Sequence, residues 1–316
     1  MALKNEIIKK KIIFITFNRL GYACLEEIIA EALVEVACVY TLEPELTQKV
    51  SDYQDISPVC HRHNIPLKKI KNINQEIADI KEINPDIIFI IGWSQIVKPE
   101  IFNIPPLGCV GSHPALLPKN RGRAAIPWHF INQEKYGGVT LFFIDEGCDS
   151  GDIIDQSKFI LTDKDNALTY YTKMQVATLR LIRRVLPSLI NHTAKAKPQR
   201  HNQATYLLPR AEQDSYLDFC TMSTRQIFNQ IRAVAYVYPT AYAFYEQKKI
   251  GVLESSVVPK KYQIYSATPG QIIKTSPKSL WVKTLDGIIE LKKLTFSGKP
   301  LSDYLSMFKT GHRFND

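Results

Sequence analysis

The sequence predicts an α/β fold: a Rossmann-like, mostly parallel sheet with helices on both faces, followed by a small C-terminal β-rich, barrel-like domain. Two observations carry this. In the first half, continuous apolar runs alternate with helical patterns, as expected where helices bury both faces of every strand. In the second half the apolar runs become short and β-like, separated by turn residues. A chain of 316 residues, 45% hydrophobic and 22% charged, is long enough for two cores of unequal size.

The elements follow in order. Ile12 to Phe17 is a β-rich run ending at Asn18, Arg19 and Gly21, and Cys24-Leu25, Ile28-Ile29 and Leu33 then mark a helix. Val34 to Tyr40 reads as a second buried strand. Ser57-Pro58 starts a helix with proline in its favourable first turn, and Ile65 to Ile70 reads as a third strand. Another helix leads to the strand Asp86–Gly92, and Cys109 to Ser112 forms a short strand running into His113. Val139–Ile144 and Ile153–Leu161 flank the loop Asp145–Asp152, and residues 166–190 are helical, ending or kinking near Pro187. Residues 191–205 are polar and read as a linker. A short helix, Ser223–Val234, precedes β-like runs at 241–245, 250–257, 270–273, 279–282 and 287–294. The expected domains are thus 1–190, a linker at 191–205, and 206–316.

Charge divides along the same line. The formal value of +9 is 40 − 31, and residues 1–190 contribute 22 − 22 = 0 while residues 191–316 contribute 18 − 9 = +9. Such asymmetry points to a polyanionic partner or to a merely solvated surface. The basic start, Met1 to Lys11, lacks a cleavage pattern, and no run approaches membrane-spanning length, so no membrane partner is expected. Six scattered cysteines without a CxxC pair argue against a zinc site or disulfide framework, and so for a cytoplasmic protein without a metal.

Open α/β sheets bind ligands beyond the carboxyl ends of their strands. Of seven histidines, only His113 follows a strand end in that zone, and an imidazole there suits acid–base work. His61 and His63 are two apart on a helix and do not share a face, and His129 sits among apolar neighbours. Asp149 lies 149 − 113 = 36 residues on, in a loop crowded by Asp145, Glu146 and Asp152, and is the natural partner. No nucleophile elbow, P-loop or dinucleotide fingerprint is present.

The segment Ser112-His113-Pro114-Ala115-Leu116-Leu117-Pro118-Lys119-Asn120-Arg121-Gly122 resembles the HPSLLPxxRG motif of folate-dependent formyltransferases, with Ala115 for the serine. Gly138-Val139-Thr140 followed by Asp145–Ile153 is similar to that family's GVTxxxxDxGxDxGxI loop. Leu208-Pro209-Arg210 and Ile231-Arg232-Ala233 are similar to the entry of its accessory domain, so the resemblance covers nearly the whole chain. It implies a Rossmann-like domain holding 10-formyltetrahydrofolate as co-substrate and a formyl group passed to an amine. His113 and Asp149 would then handle the oxyanion and the proton. Ile91, Gly92, Trp93 and Val97, with Asp145 and Glu146, would line the pterin pocket.

The family usually has Asn-x-His, and here Gly111 stands two before His113. Ser112, Gln95, Asn120 or the Gly111 backbone N–H are candidates to supply the missing donor, and a non-catalytic binding protein on this scaffold is the alternative that the gap leaves open. The loop Arg121–Trp128 looks closer to amino-sugar nucleotide enzymes than to methionyl-tRNA formyltransferases. The expected acceptor is therefore the amine of a nucleotide sugar, its diphosphate held by Lys119, Arg121 and Arg123. Chain length and the basic C-terminal half favour tRNA instead, the alternative acceptor. A homo-oligomer is left open.

Overall fold

The computed structural model describes residues 9–48, 50, 52–262, 266–301 and 305–315. The basic start before Lys9 and Ser51 lie outside the described residues. In chain order the elements are β1 (Lys10–Ile15), α1 (Arg19–Ala30), β2 (Val34–Leu42), α2 (Pro44–Thr47), α3 (Ser57–Arg62), β3 (Leu67–Ile70), α4 (Ile77–Ile83), β4 (Ile87–Ile90), α5 (Pro99–Phe102) and β5 (Cys109–His113). There follow β6 (Arg121–Gly122), α6 (Ala125–Ile131), β7 (Tyr136–Phe143), β8 (Ile153–Ile160), α7 (Ala167–Ile190), β9 (Tyr206–Leu207) and α8 (Thr224–Val234). The last strands are β10 (Ala241–Tyr245), β11 (Lys248–Val257), β12 (Ile272–Thr275), β13 (Ser279–Lys283), β14 (Ile288–Phe296) and β15 (Lys299–Pro300).

The chain forms two compact units. One comprises the residues up to Gly122 with Gly137–Phe159 and Thr172–Leu207; the other comprises Arg123–Tyr136, Ile160–Tyr171 and the residues from Leu208 on. In the first, a seven-stranded sheet has the order β3-β2-β1-β4-β5-β7-β8. The first five strands in that order are parallel neighbours, and β7 joins β5 antiparallel. The apolar runs explain the parallel part: Ile12 to Ile15 and Ile87 to Phe89 are fully buried, as strands covered on both faces must be. Successive side chains point to opposite faces, so Ile13, Ile15, Ile88 and Ile90 pack with Ile80 of α4 and Ile101 and Phe102 of α5. Phe14 and Phe89 point the other way and stack, with ring centroids 6.2 Å apart. Asn18 caps α1, its side chain accepting from the Gly21 N–H, and so turns the chain sharply at the end of β1.

α7 continues through Pro187 and ends at Ile190, close to the predicted stop. The stretch 191–205, read as a linker, is not featureless: Lys197 bridges Ile153, and Gln199 is buried.

In the second unit, α6 packs on α8 beside a six-stranded antiparallel sheet, β10-β11-β14-β13-β12 with β15 on β14. A capping box starts α8: the Ser223 hydroxyl accepts from the Gln226 N–H, and the Gln226 side chain accepts from the Ser223 N–H. Two strand starts lie two residues from the sequence reading. β11 begins at Lys248 because Glu246 and Gln247 both take left-handed backbone, closing a two-residue hairpin without glycine or asparagine. β12 begins at Ile272, past Gly270, whose φ of +86° belongs to a turn.

Candidate functional site

β5 carries the site. It is flanked by β4 on one side and β7 on the other, which pair Gly111 with Ile90 and with Phe142, and His113 with Thr140. The strand therefore delivers His113 to the carboxyl end of the parallel sheet with its ring almost wholly buried. Nε2 of His113 lies 2.6 Å from the carbonyl oxygen of Asn120. A carbonyl can only accept, so Nε2 carries the hydrogen and Nδ1 is left as the basic atom. Nδ1 faces Oδ2 of Asp149 at 3.4 Å. The pair expected from sequence spacing is thus brought together, with a carboxylate ready to stabilise a second proton on the ring.

Asp149 is held there by backbone. It sits at φ +49°, a left-handed conformation that Asp tolerates, and its Oδ2 also accepts the Gly122 N–H at 2.8 Å. Gly122 has to be glycine: its φ is +99°, and a Cβ would stand 2.6 Å from the Leu207 carbonyl oxygen. Asp145 shapes the same loop, its Oδ1 accepting from the Gly147 N–H and the Ser150 hydroxyl. Glu146 and Cys148 are exposed. Burial and the Asp149 carboxylate hold the Cys148 thiol above its ordinary pKa, opposed by the positive charge of Arg121.

Beyond β4, Ile91 and Val97 are buried, and Gly92 takes a left-handed φ of +68°. Trp93 lies against Phe17 with ring centroids 5.6 Å apart, and its indole N–H is buried without a partner. A buried donor without a protein acceptor calls for a partner, and this one lies just past the end of β4.

The basic trio divides. Lys119 and Arg123 are exposed, whereas Arg121 is 1% exposed. Its Nε and Nη2 donate to Oε1 of Gln199 at 3.2 and 2.6 Å, and its Nη1 donates to the Tyr206 hydroxyl at 3.0 Å. The guanidinium is occupied inside the protein, so the phosphate role read from the sequence does not fit Arg121. Gln199 is the residue that sequence reasoning missed. It stands in a polar stretch with no pattern around it, and only the fold shows it buried against the Asp149 loop.

The gap at Gly111 has a physical form. A Cβ there would meet Cγ1 of Ile144 at 3.1 Å and the Phe142 ring at 3.2 Å, so those side chains occupy the ground an asparagine would need. Gln95 is not a free replacement: its amide is committed to the Ile73 N–H and the Lys71 carbonyl. Ser112 alternates to the opposite face of β5 from His113.

Residues 10–186 match the formyl transferase family model and residues 211–311 match the formyl transferase C-terminal domain model. The chain belongs to the formyltransferase family. It is 35% identical over 263 residues to a methionyl-tRNA formyltransferase of Sulfurihydrogenibium, covering 80% of this chain and 83% of that protein. A methionyl-tRNA formyltransferase of Clostridium tetani is 29% identical over 307 residues, 96% and 97% of the two chains. Among solved structures, a sugar 3N-formyl transferase crystallised with dTDP and 5-N-formyl-THF superposes with a TM-score of 0.67 at 21% identity, covering 90% of this chain and 97% of that one. HypX from Aquifex aeolicus, in complex with tetrahydrofolic acid, superposes with a TM-score of 0.65 at 17% identity over 92% of this chain and 44% of that one.

These relatives overturn the amino-sugar expectation. Several curated proteins similar over most of the chain are methionyl-tRNA formyltransferases, and the sugar enzyme shares the fold at an identity too low to speak for its acceptor. The misreading comes from weighing the likeness of the Arg121–Trp128 loop to amino-sugar enzymes above chain length and the basic C-terminal half, which point to tRNA.

Proposed function

We propose that this chain transfers the formyl group of 10-formyltetrahydrofolate to the amino group of methionyl-tRNA. The observation that carries the reading is the buried His113–Asp149 contact, on a chain whose similar curated relatives are methionyl-tRNA formyltransferases. Attack of a neutral amine on the formyl carbon makes a tetrahedral oxyanion and leaves an extra proton on nitrogen. Nδ1 of His113 takes that proton, and the Asp149 carboxylate stabilises the imidazolium formed. Collapse of the intermediate expels the tetrahydrofolate nitrogen, to which the imidazolium returns the proton. Nothing is consumed beyond the two substrates.

For the folate, the buried Trp93 N–H lacking an acceptor supports a pterin lying along Ile91, Gly92, Trp93 and Val97. Glu146 is exposed at the rim of the loop that Asp145 shapes. Lys119 and Arg123, both exposed, suit the phosphates of the tRNA acceptor, and the C-terminal excess of charge supplies further sequence-independent attraction.

The test is formyl transfer from 10-formyltetrahydrofolate to methionyl-tRNA, with uncharged tRNA as control. Accumulation of formylmethionyl-tRNA supports the reading; absence of transfer by folded protein that binds folate removes the acceptor.

A further inference from the structure

Arg121 is a buried cation, and no acidic side chain of the described residues pairs with it within ion-pair distance. A desolvated charge is tolerated only when its donors are satisfied, and here neutral groups do that work. Gln199 accepts from two of the guanidinium nitrogens, Tyr206 accepts from the third through its hydroxyl, and Nδ1 of His201 lies 3.2 Å from Nη2. The Tyr206 ring covers the group, with the guanidinium carbon 5.7 Å from the ring centroid.

The consequence falls on Gln199. Because arginine only donates, the amide oxygen must face it, and the amide nitrogen is turned toward the loop. There Nε2 donates to the carbonyl oxygens of Asp149, at 2.9 Å, and Gly151, at 2.7 Å. Both acceptor sites and both donor hydrogens of the amide are therefore used. The same chain segment pairs with the His113 side of the site: the Arg121 N–H donates to the Thr205 carbonyl, and the Asn120 N–H donates to the Thr205 hydroxyl. Asn120 in turn supplies the carbonyl that holds His113.

We propose that Arg121 is a positioning residue for formyl transfer: acting through Gln199, it fixes the Asp149 backbone so that the carboxylate reaches both His113 and the Gly122 N–H. The proposal rests on the transfer reaction above, but it concerns the placement of Asp149 whatever the acceptor. It gives Arg121 of the basic loop an inward task in place of phosphate binding. It also gives the polar stretch 191–205 a task that neither its composition nor any motif announced.

The experiment compares Gln199→Met, which keeps the bulk but neither donates nor accepts strongly, with Arg121→Lys, which keeps the charge but has no bidentate fork. Gln199→Met is the variant that retains the fold should Arg121 substitutions fail to. Two readouts are taken. In steady-state transfer, kcat of Gln199→Met falls about 100-fold with both KM values within about twofold of wild type, the scale expected when a reacting group is displaced by about an ångström. Arg121→Lys retains more activity than Arg121→Met. The second readout needs no acceptor: hydrogen exchange at the Gly122 amide, which is bonded to Asp149, speeds up at least tenfold in Gln199→Met while amides of β1 and β4 are unchanged. Undiminished Gly122 protection, or a raised KM with kcat intact, overturns the proposal. Faster Gly122 exchange in a protein that proves inactive on methionyl-tRNA upholds the positioning role and rejects only the acceptor.

Discussion

Arg121 in the first compact unit and Lys249 in the second each place a cation over a tyrosine ring, at 5.7 Å from Tyr206 and 4.0 Å from Tyr242. Beyond that they share little. Arg121 is buried, and its fixed guanidinium fork is matched by Gln199, Tyr206 and His201, so its energy depends on geometry and hardly on salt. The Lys249 side chain is 45% exposed and pairs with an exposed Glu212, in the sheet that follows the balanced part of the sequence and carries most of its excess charge. A pair of that kind contributes little to stability and is screened readily. A desolvated cation organises its neighbours; solvated ones remain available to a polyanion.

Removing His113, the proposed general base, should break the comparison most visibly. His113→Asn is expected to lower kcat by about 10²–10⁴-fold, the range for loss of a general base, while leaving folate affinity within a few-fold. Fluorescence titration with folate, run beside the transfer assay, separates the two. Salt comes next. Between 50 and 200 mM salt, the KM for tRNA should rise by about 10-fold or more through counterion release, with kcat nearly flat. A kcat that falls with salt as steeply as binding does would mean that the buried site is not insulated from the exposed charge.

Two smaller effects sharpen the contrast. Gly111→Ala forces a Cβ to about 3 Å from Ile144 and the Phe142 ring, and overpacking of this kind costs about 1–3 kcal/mol, readable by denaturant unfolding. Gly111→Asn combined with Ile144→Ala makes room for an amide beside His113 and should raise kcat above that of the parent. No gain would show that this chain already has its oxyanion donor. In the C-terminal unit, Asp286 accepts from both the N–H and the hydroxyl of Thr224, which lowers its pKa. A carboxyl with a depressed folded-state pKa stabilises above the ordinary carboxylate range and loses that contribution as pH falls through the folded value. Asp286→Asn should therefore lower the melting temperature slightly at neutral pH and by less in acid.

Much of this was legible in the sequence because it is written in local pattern. Strand β4 and the buried part of β1 are unbroken runs of isoleucine and phenylalanine, α8 announces itself with Ser223 and Gln226, and His113 and Asp149 sit in motif-bearing segments. The β10–β11 hairpin was misplaced by two residues because Glu246 and Gln247 adopt left-handed backbone without the residues that usually signal it. Tertiary pairing of the flanking strands imposes that turn. Arg121 was assigned to solvent because a basic residue in a loop usually faces water; only the fold shows a neutral partner waiting inside.

By itself, then, the sequence determined the α/β class, the strand that ends at His113, the aspartate that answers it and the reaction family. Each depends on residues close along the chain or on long motifs. The tertiary structure decided which atoms of that pair meet, that Gly111 is walled by Ile144 and Phe142, and that Arg121 turns inward to Gln199. Those contacts join positions as far apart as 121 and 199, and burial, which sets the cost of an unpaired charge, exists only once the chain has folded.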